Sequence, residues 1–146
     1  MSKSNTFEND LLLLIFNNTN IGLVGDATGL RGSSAGGSLY VSLHTADPGE
    51  AGAQNTNETT YTSYARMAVA RTSGGWTVTG NSVSPAANID FAECTGSPGS
   101  PLTHFAVGTD AAGAGKLLYK GTLTPNITMA AGVIPRVKTT STITED

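Results

Sequence analysis

The chain has 146 residues, 8 Lys or Arg against 11 Asp or Glu, a formal net charge of −3, and a charged fraction of 13%. That fraction is about half the usual share for a globular domain, which argues against nucleic-acid binding, since phosphate recognition needs clustered basic residues. An apolar content of 38% argues against a disordered polar chain, and no run of about 18 apolar residues offers a membrane-spanning helix.

Taken in chain order, the first element is a helix. Asn5 followed by Glu8 fits a capping pattern, with the Asn side chain accepting an amide proton at the positive helix end. Phe7, Leu11, Leu14 and Ile15 then fall on one face, while Leu12, Leu13 and Phe16 widen the stripe. Asn17-Asn18 marks the stop. Such a helix packs on its own sheet or against another subunit, and the sequence leaves both open. Its apolar run, Leu11 to Phe16, is short for a signal peptide, and Glu8 and Asp10 stand where positive charge is needed. Synthesis in a cytoplasm is the expectation.

From Ile21 to Gly37 the chain is rich in Gly, Ser and Ala, with Arg31 its only basic residue, and reads as a long connecting loop. Strand signals follow in series. Leu39, Val41 and Leu43 alternate with polar residues in a half-buried strand. Thr45 to Thr60 is a second polar loop, opened by Asp47-Pro48-Gly49. Ala65 to Arg71 alternates again, and Gly74-Gly75 turns into a strand at Trp76 to Thr79. Gly80-Asn81 precedes Val83, and a short strand surrounds Ile89 and Phe91. Phe105 and Val107 follow a Gly/Pro/Ser loop at Gly96 to Pro101. Asp110 to Gly115 makes a turn before Leu117 to Leu123. Ile127 and Met129 lead to another turn, and Val133 to Ile143, broken by Pro135, ends the chain.

About eight short strands with closely spaced turns predict an all-β fold, an antiparallel jelly-roll-like β-sandwich with one N-terminal α-helix. The expected organisation is one domain, 1–146, with a helix at 1–18, a loop at 19–38 and the sandwich at 39–146. The single Cys94 can form no internal disulfide.

Chemistry-bearing patterns are sparse. His44 and His104 read as polar residues at strand ends, and no set of His, Cys or carboxylates has zinc-ligand spacing. A Cys94–His104 nucleophile pair would need the fold to bring the two together; Cys94 reads more simply as a small buried residue. Gly113-Ala114-Gly115-Lys116 lacks the spacing, the hydroxyl residue and the following helix of a phosphate loop, and reads as a hairpin turn. Asp47, Glu50 and Glu58 share one loop without calcium-loop spacing and read as solvated charges. Trp76 with Tyr40, Tyr61 and Tyr64 is a candidate sugar-stacking face, although Trp76 fits a core or interface position equally well. The expectation is a non-enzymatic packing module without cofactor or metal, because low charge suits extensive burial against protein. Phe7, Leu11, Leu14, Ile15, Arg31, Asp47 and Trp76 are the candidate contact residues.

The opening Ser2-Lys3-Ser4-Asn5-Thr6-Phe7-Glu8-Asn9-Asp10-Leu11-Leu12 resembles the start of small bacteriophage virion proteins commonly called tail-fibre proteins. Leu39-Tyr40-Val41-Ser42-Leu43-His44-Thr45-Ala46-Asp47-Pro48-Gly49 is similar to them too. Tyr64-Ala65-Arg66, Gly75-Trp76-Thr77-Val78, Thr103-His104-Phe105-Ala106-Val107-Gly108, Gly115-Lys116-Leu117-Leu118-Tyr119 and Thr142-Ile143-Thr144-Glu145-Asp146 continue the likeness. The resemblance implies a structural protein of a tailed phage particle, without enzymatic activity. Within it the compact domain favours a capsid decoration or cement protein bound to the major capsid protein lattice, on the outer surface of the head. The alternatives are a tail-fibre, collar or adhesin-like component, or a carbohydrate-binding module. The expected partners are the major capsid protein or other virion proteins and further copies of the chain, with no nucleic acid and no membrane.

Overall fold

The computed structural model describes residues 2–25 and 28–146. The chain divides into two compact units that interleave in sequence. The first comprises Met1–Ser38, Val69–Asn88 and Lys138–Asp146; the second comprises Leu39–Ala68 and Ile89–Val137. The all-β expectation with one N-terminal helix holds: among the described residues, helix α1 is joined by nine strands in antiparallel sheets of four, three and two.

In the first unit, α1 spans Asn5–Asn17. Its N-cap is Ser4, one residue earlier than the expected Asn5; the extended Ser4 backbone lets its Oγ accept from the Phe7 amide at 3.4 Å. Asn18 ends the helix in the left-handed conformation at φ 57°, a geometry asparagine tolerates better than most residues. Its side chain then grips Ser33, accepting from that amide at 2.7 Å and donating to its carbonyl at 2.8 Å. Within the loop so held, Ile21 and Leu30 form an antiparallel bridge. Asp26 and Ala27 of the expected connecting loop lie outside the described residues.

The buried face of α1 is Glu8, Leu12 and Phe16. This corrects the sequence expectation, in which Phe7, Leu11, Leu14 and Ile15 formed the main stripe. Those four are only half-buried or exposed, Phe7 by 38%. Six successive apolar residues blur the helical period, so hydrophobicity alone does not choose the inward side. The helix packs within its own unit: the Phe16 ring meets Trp76 edge-on at a centroid distance of 4.8 Å. Trp76 opens β3 (Trp76–Thr79), which pairs with β4 (Ser82–Pro85) through the Gly80-Asn81 turn. Gly80 takes φ 59° there, as tight hairpin turns require. Strand β9 (Ile143–Thr144) adds to β4 in the register Val83–Ile143.

In the second unit, β1 (Ser38–His44) pairs with β6 (Leu102–Gly108), and β6 pairs with β7 (Leu117–Ile127). Strand β2 (Met67–Ala70), of which Met67 and Ala68 belong to this unit, is an edge strand of the four-stranded sheet and is shorter than the expected Ala65 to Arg71. Strands β5 (Ile89–Asp90) and β8 (Arg136–Val137) form a separate ladder. Val41, Leu43, Leu102, Ala106 and Val107 supply buried apolar surface. The expected half-buried alternation of β1 fails in its second half, where Ser42 and His44 are buried as well. Their polar groups satisfy each other: Ser42 Oγ lies 2.9 Å from His44 Nε2, and His44 Nδ1 lies 2.9 Å from the Thr56 carbonyl. The expected final strand from Val133 splits into β8 and β9, because Lys138 to Thr142 between them forms a turn.

Candidate functional site

The second unit carries an open groove of about 550 Å³ between the segment 55–66 and the turn 111–113. Its construction starts from Arg66, whose side chain is 2% exposed. A buried guanidinium must have its donors satisfied and its charge paired. Glu58 supplies the pairing through a two-point fork: Arg66 Nε donates to Oε1 and Nη2 to Oε2, both at 2.7 Å. The remaining reach of the guanidinium fixes the opposite wall. Nη1 donates to the Asp110 carbonyl at 2.8 Å and Nη2 to the Gly113 carbonyl at 2.6 Å. One side chain thus ties both walls of the groove.

Tyr64 joins the same cluster. Its hydroxyl donates to Glu58 Oε1 at 2.8 Å and accepts from the Leu43 amide at 3.1 Å. Burial, with the Glu58 carboxylate adding to it, pushes the phenol well above its ordinary range, so Tyr64 stays a donor. The carboxylate in turn raises Arg66 further above its usual value through their hydrogen bonds. Tyr61 packs edge-on to Tyr64 at 5.3 Å and donates its hydroxyl to the Ala92 carbonyl at 2.9 Å. Burial raises it to about 12.

Ser63, on the rim, adopts φ 82°, a region that L side chains rarely occupy. Its Oγ lies 2.6 Å from Thr95 Oγ1, and the Tyr64 amide closes a turn onto the Tyr61 carbonyl at 3.0 Å. Thr59 also lines the groove, and its hydroxyl is buried without a hydrogen-bond partner among the described residues.

Gln54 locks the base of the adjoining loop. Its amide nitrogen donates to the Tyr40 carbonyl at 3.0 Å, and its Oε1 accepts from the Asp110 amide at 3.2 Å. A Cβ at Gly108 or Gly115 would come within 2.3 Å and 2.7 Å of that amide side chain, so both positions need glycine. Gly113-Ala114-Gly115-Lys116 lies in the hairpin connection between β6 and β7, as its sequence predicted, with the Thr109 amide donating to the Lys116 carbonyl at 3.1 Å across its base.

The other sequence candidates lie elsewhere. Asp47 and Glu50 both pair with Lys120, at 3.0 and 3.2 Å, and remain solvated. The Gly49 amide and then Lys120 hold the Asp47 carboxyl below its usual range. Glu58 departs from the solvated reading, since its side chain is only 14% exposed and belongs to the Arg66 cluster. His44 is fully buried, and burial lowers its ionisation; His104, its register partner across the sheet, lies with Nδ1 2.8 Å from Thr103 Oγ1. Cys94 is buried, with Sγ facing the Gly96 and Ser97 carbonyls at 3.6 and 3.8 Å. Arg31 is exposed on its loop. Trp76 is 2% exposed inside the first unit, so it presents no face to a sugar. Of the four aromatics considered together, the groove contains only Tyr61 and Tyr64.

Arg66, Tyr64 and Gln54 were invisible as a set in the sequence, because apart from Glu58 their partners are backbone carbonyls and amides that no residue spacing announces. Chemically the cluster holds its charges in place, with the carboxylate committed to a guanidinium and a phenol. Among the described residues no group of His, Cys, Asp and Glu could hold a metal ion, and no helix is long and apolar enough to cross a membrane.

Among the curated proteins none matches the chain. The family model described as podophage GP4 fiber I protein gp80 matches residues 2–144, nearly the whole chain, including every strand named above. Phage virion resemblance and matched family agree, and the chain belongs to the podophage GP4 fiber I protein gp80 family.

Proposed function

We propose that this protein is a subunit of a podophage tail fibre, working by contact with other virion proteins and without catalysis. The match over residues 2–144 carries this reading, because the family is one of fibre structural proteins. It favours the tail-fibre alternative over the capsid-decoration reading that compactness alone suggested. The structure supplies suitable contact surface. With Leu12 and Phe16 turned inward, Phe7, Leu11, Leu14 and Ile15 keep part of their apolar surface outside the unit's core, and Leu23, Val24 and Leu30 are exposed on the following loop. Repetition of modest contacts in a symmetric fibre gives a firm assembly without large individual affinities.

Antibody to the purified protein, applied with gold label to intact particles, tests the assignment. Label confined to the tail region is the expected result. Label scattered over the head would overturn it and restore the decoration reading with the major capsid protein as partner.

A further inference from the structure

We propose that the outer edge of β7 is a pairing surface for a second copy of this chain, joined antiparallel across a two-fold axis. Strand β7 closes one side of the four-stranded sheet, and among the described residues its only sheet partner is β6. An edge strand turns alternate N–H and C=O groups away from its neighbour, which makes it a template for another strand. None of residues 117–127 is buried. Proteins blunt such edges with proline, bulges and charge, and β7 applies the first two to its far half only. Leu123 to Asn126, Pro125 among them, have no register partner on β6, whereas Leu117 and Tyr119 to Thr122 do. The near half stays a regular ladder with an open side.

Charge does not guard that half either. Lys120 is the one charged residue of the strand, and its own unit neutralises it, with Asp47 at 3.0 Å and Glu50 at 3.2 Å. The same pairs argue for a second copy as the occupant. Glu50 is 96% exposed beside Lys120, so the edge presents both signs together, and a two-fold sets each sign of one copy near the opposite sign of the other. An antiparallel edge also meets its own copy with matching donors and acceptors. Half-buried Leu117 and Leu118 would then lose further contact with water. The opposite edge of the sheet, β2, has only four residues, which disfavours head-to-tail growth through β7 and β2. The inference gives the contact role proposed above a specific partner and rests on that role.

The test is sedimentation equilibrium of the full chain from about 1 μM to about 1 mM, with amide hydrogen exchange at both ends of that range. The mass should rise from one chain to two and stop, and exchange should slow at residues 117–122 while β2 and β9 are unchanged. Thr122 is exposed and faces His104 in register, so Thr122→Glu adds a third carboxylate near Asp47 and Glu50 at little risk to the fold. Because each contact occurs twice across a two-fold, it should weaken association about tenfold. Salt at about 1 M, with a Debye length of about 3 Å, should restore part of the loss. Thr122→Gln, without the charge, should associate as the wild type does. A single-chain mass throughout, growth past two chains, slowed exchange outside β7, or association unaltered by Thr122→Glu would overturn the proposal. Should that variant fail to fold, the wild-type exchange pattern decides alone. Both measurements use isolated protein, so they fail separately from the gold-label location.

Discussion

Arg66 and Arg71 stand on either side of β2 and do opposite kinds of work. Arg66, in the second unit, is buried with a carboxylate partner and uses its spare donors on two carbonyls of a turn. Arg71, in the first unit, is half-buried and its partners are neutral oxygens. Nε donates to the Ile15 carbonyl at 2.6 Å, Nη2 to Leu14 at 2.7 Å and Nη1 to Gly36 at 3.2 Å. Helix α1 has no basic residue in its own last turn. Arg71 supplies that missing charge from a distant part of the chain, answering both the open carbonyls and the negative helix end. The lesson is that a buried ion pair fails steeply when halved, whereas a cationic helix cap fails gently, because water can replace it.

The contrast gives a ranking. Arg66→Met should cost about 3 kcal/mol of stability, since it strands the Glu58 carboxylate in a poorly hydrated place. Urea unfolding measures this, and the double variant Glu58→Met with Arg66→Met should recover much of the loss, because a pair removed together leaves no orphan charge. A single-variant loss below about 1 kcal/mol would mean a solvated pair and would erase the contrast. Arg71→Met should cost less, about 1–2 kcal/mol. It should also speed amide exchange around residues 16–19 while leaving residues 55–66 protected. Equal losses in the two variants would show that the carboxylate is not what sets Arg66 apart.

Much of the architecture was legible in the sequence because turns announce themselves chemically. Gly80-Asn81 and the Gly113 turn are placed as their residues predicted, with φ values of 59° and 76° at the two glycines. The strands at Leu39 to Leu43 and Trp76 to Thr79 follow from alternation. The likeness to phage virion proteins was carried by strings spread over most of the chain, and the family match covers the same span. The groove was not legible. A charged residue in an alternating segment is ordinarily read as facing water, and both arginines violate that reading through carbonyls far away in sequence. Nor was the packing face of α1 legible, since a helix apolar on nearly every side is oriented by tertiary contacts such as Phe16 with Trp76.

The loop that brings Glu58 to Arg66 is also fastened by His44, which sharpens the comparison through pH. Neutral His44 donates from Nδ1 to the Thr56 carbonyl and accepts from Ser42 at Nε2. Glu58, Arg66 and His104 are the charged and titratable groups around it. Burial lowers the native ionisation below the ordinary 6.5. The neutral-His contribution is therefore complete above the unfolded value and is lost as pH falls beneath it toward the lowered native value. Stability should drop with a limiting slope of about 1.4 kcal/mol per pH unit. Unfolding midpoints from about pH 7 to about pH 5 follow the loss. His44→Gln should flatten that slope. A slope untouched by His44→Gln would assign the acid sensitivity to another group.

The smallest expected effect on stability separates the two faces of α1. Phe7 is 38% exposed whereas Leu12 is fully buried, so Phe7→Ser should change stability by no more than about 0.5 kcal/mol. Leu12→Ala should lower the unfolding midpoint much further, by opening a cavity in the core. Assembly should report the reverse dependence. If the outer face is a fibre contact, Phe7→Ser protein supplied to phage lacking the wild-type chain should enter particles poorly despite folding normally. Normal incorporation would release the outer face of α1 from the contact role and leave the exposed Leu23, Val24 and Leu30 as the surface to vary next. Loss of folding in Phe7→Ser would instead mean that the helix is held from both sides within its own unit, contrary to the half-open burial of Leu11 and Leu14.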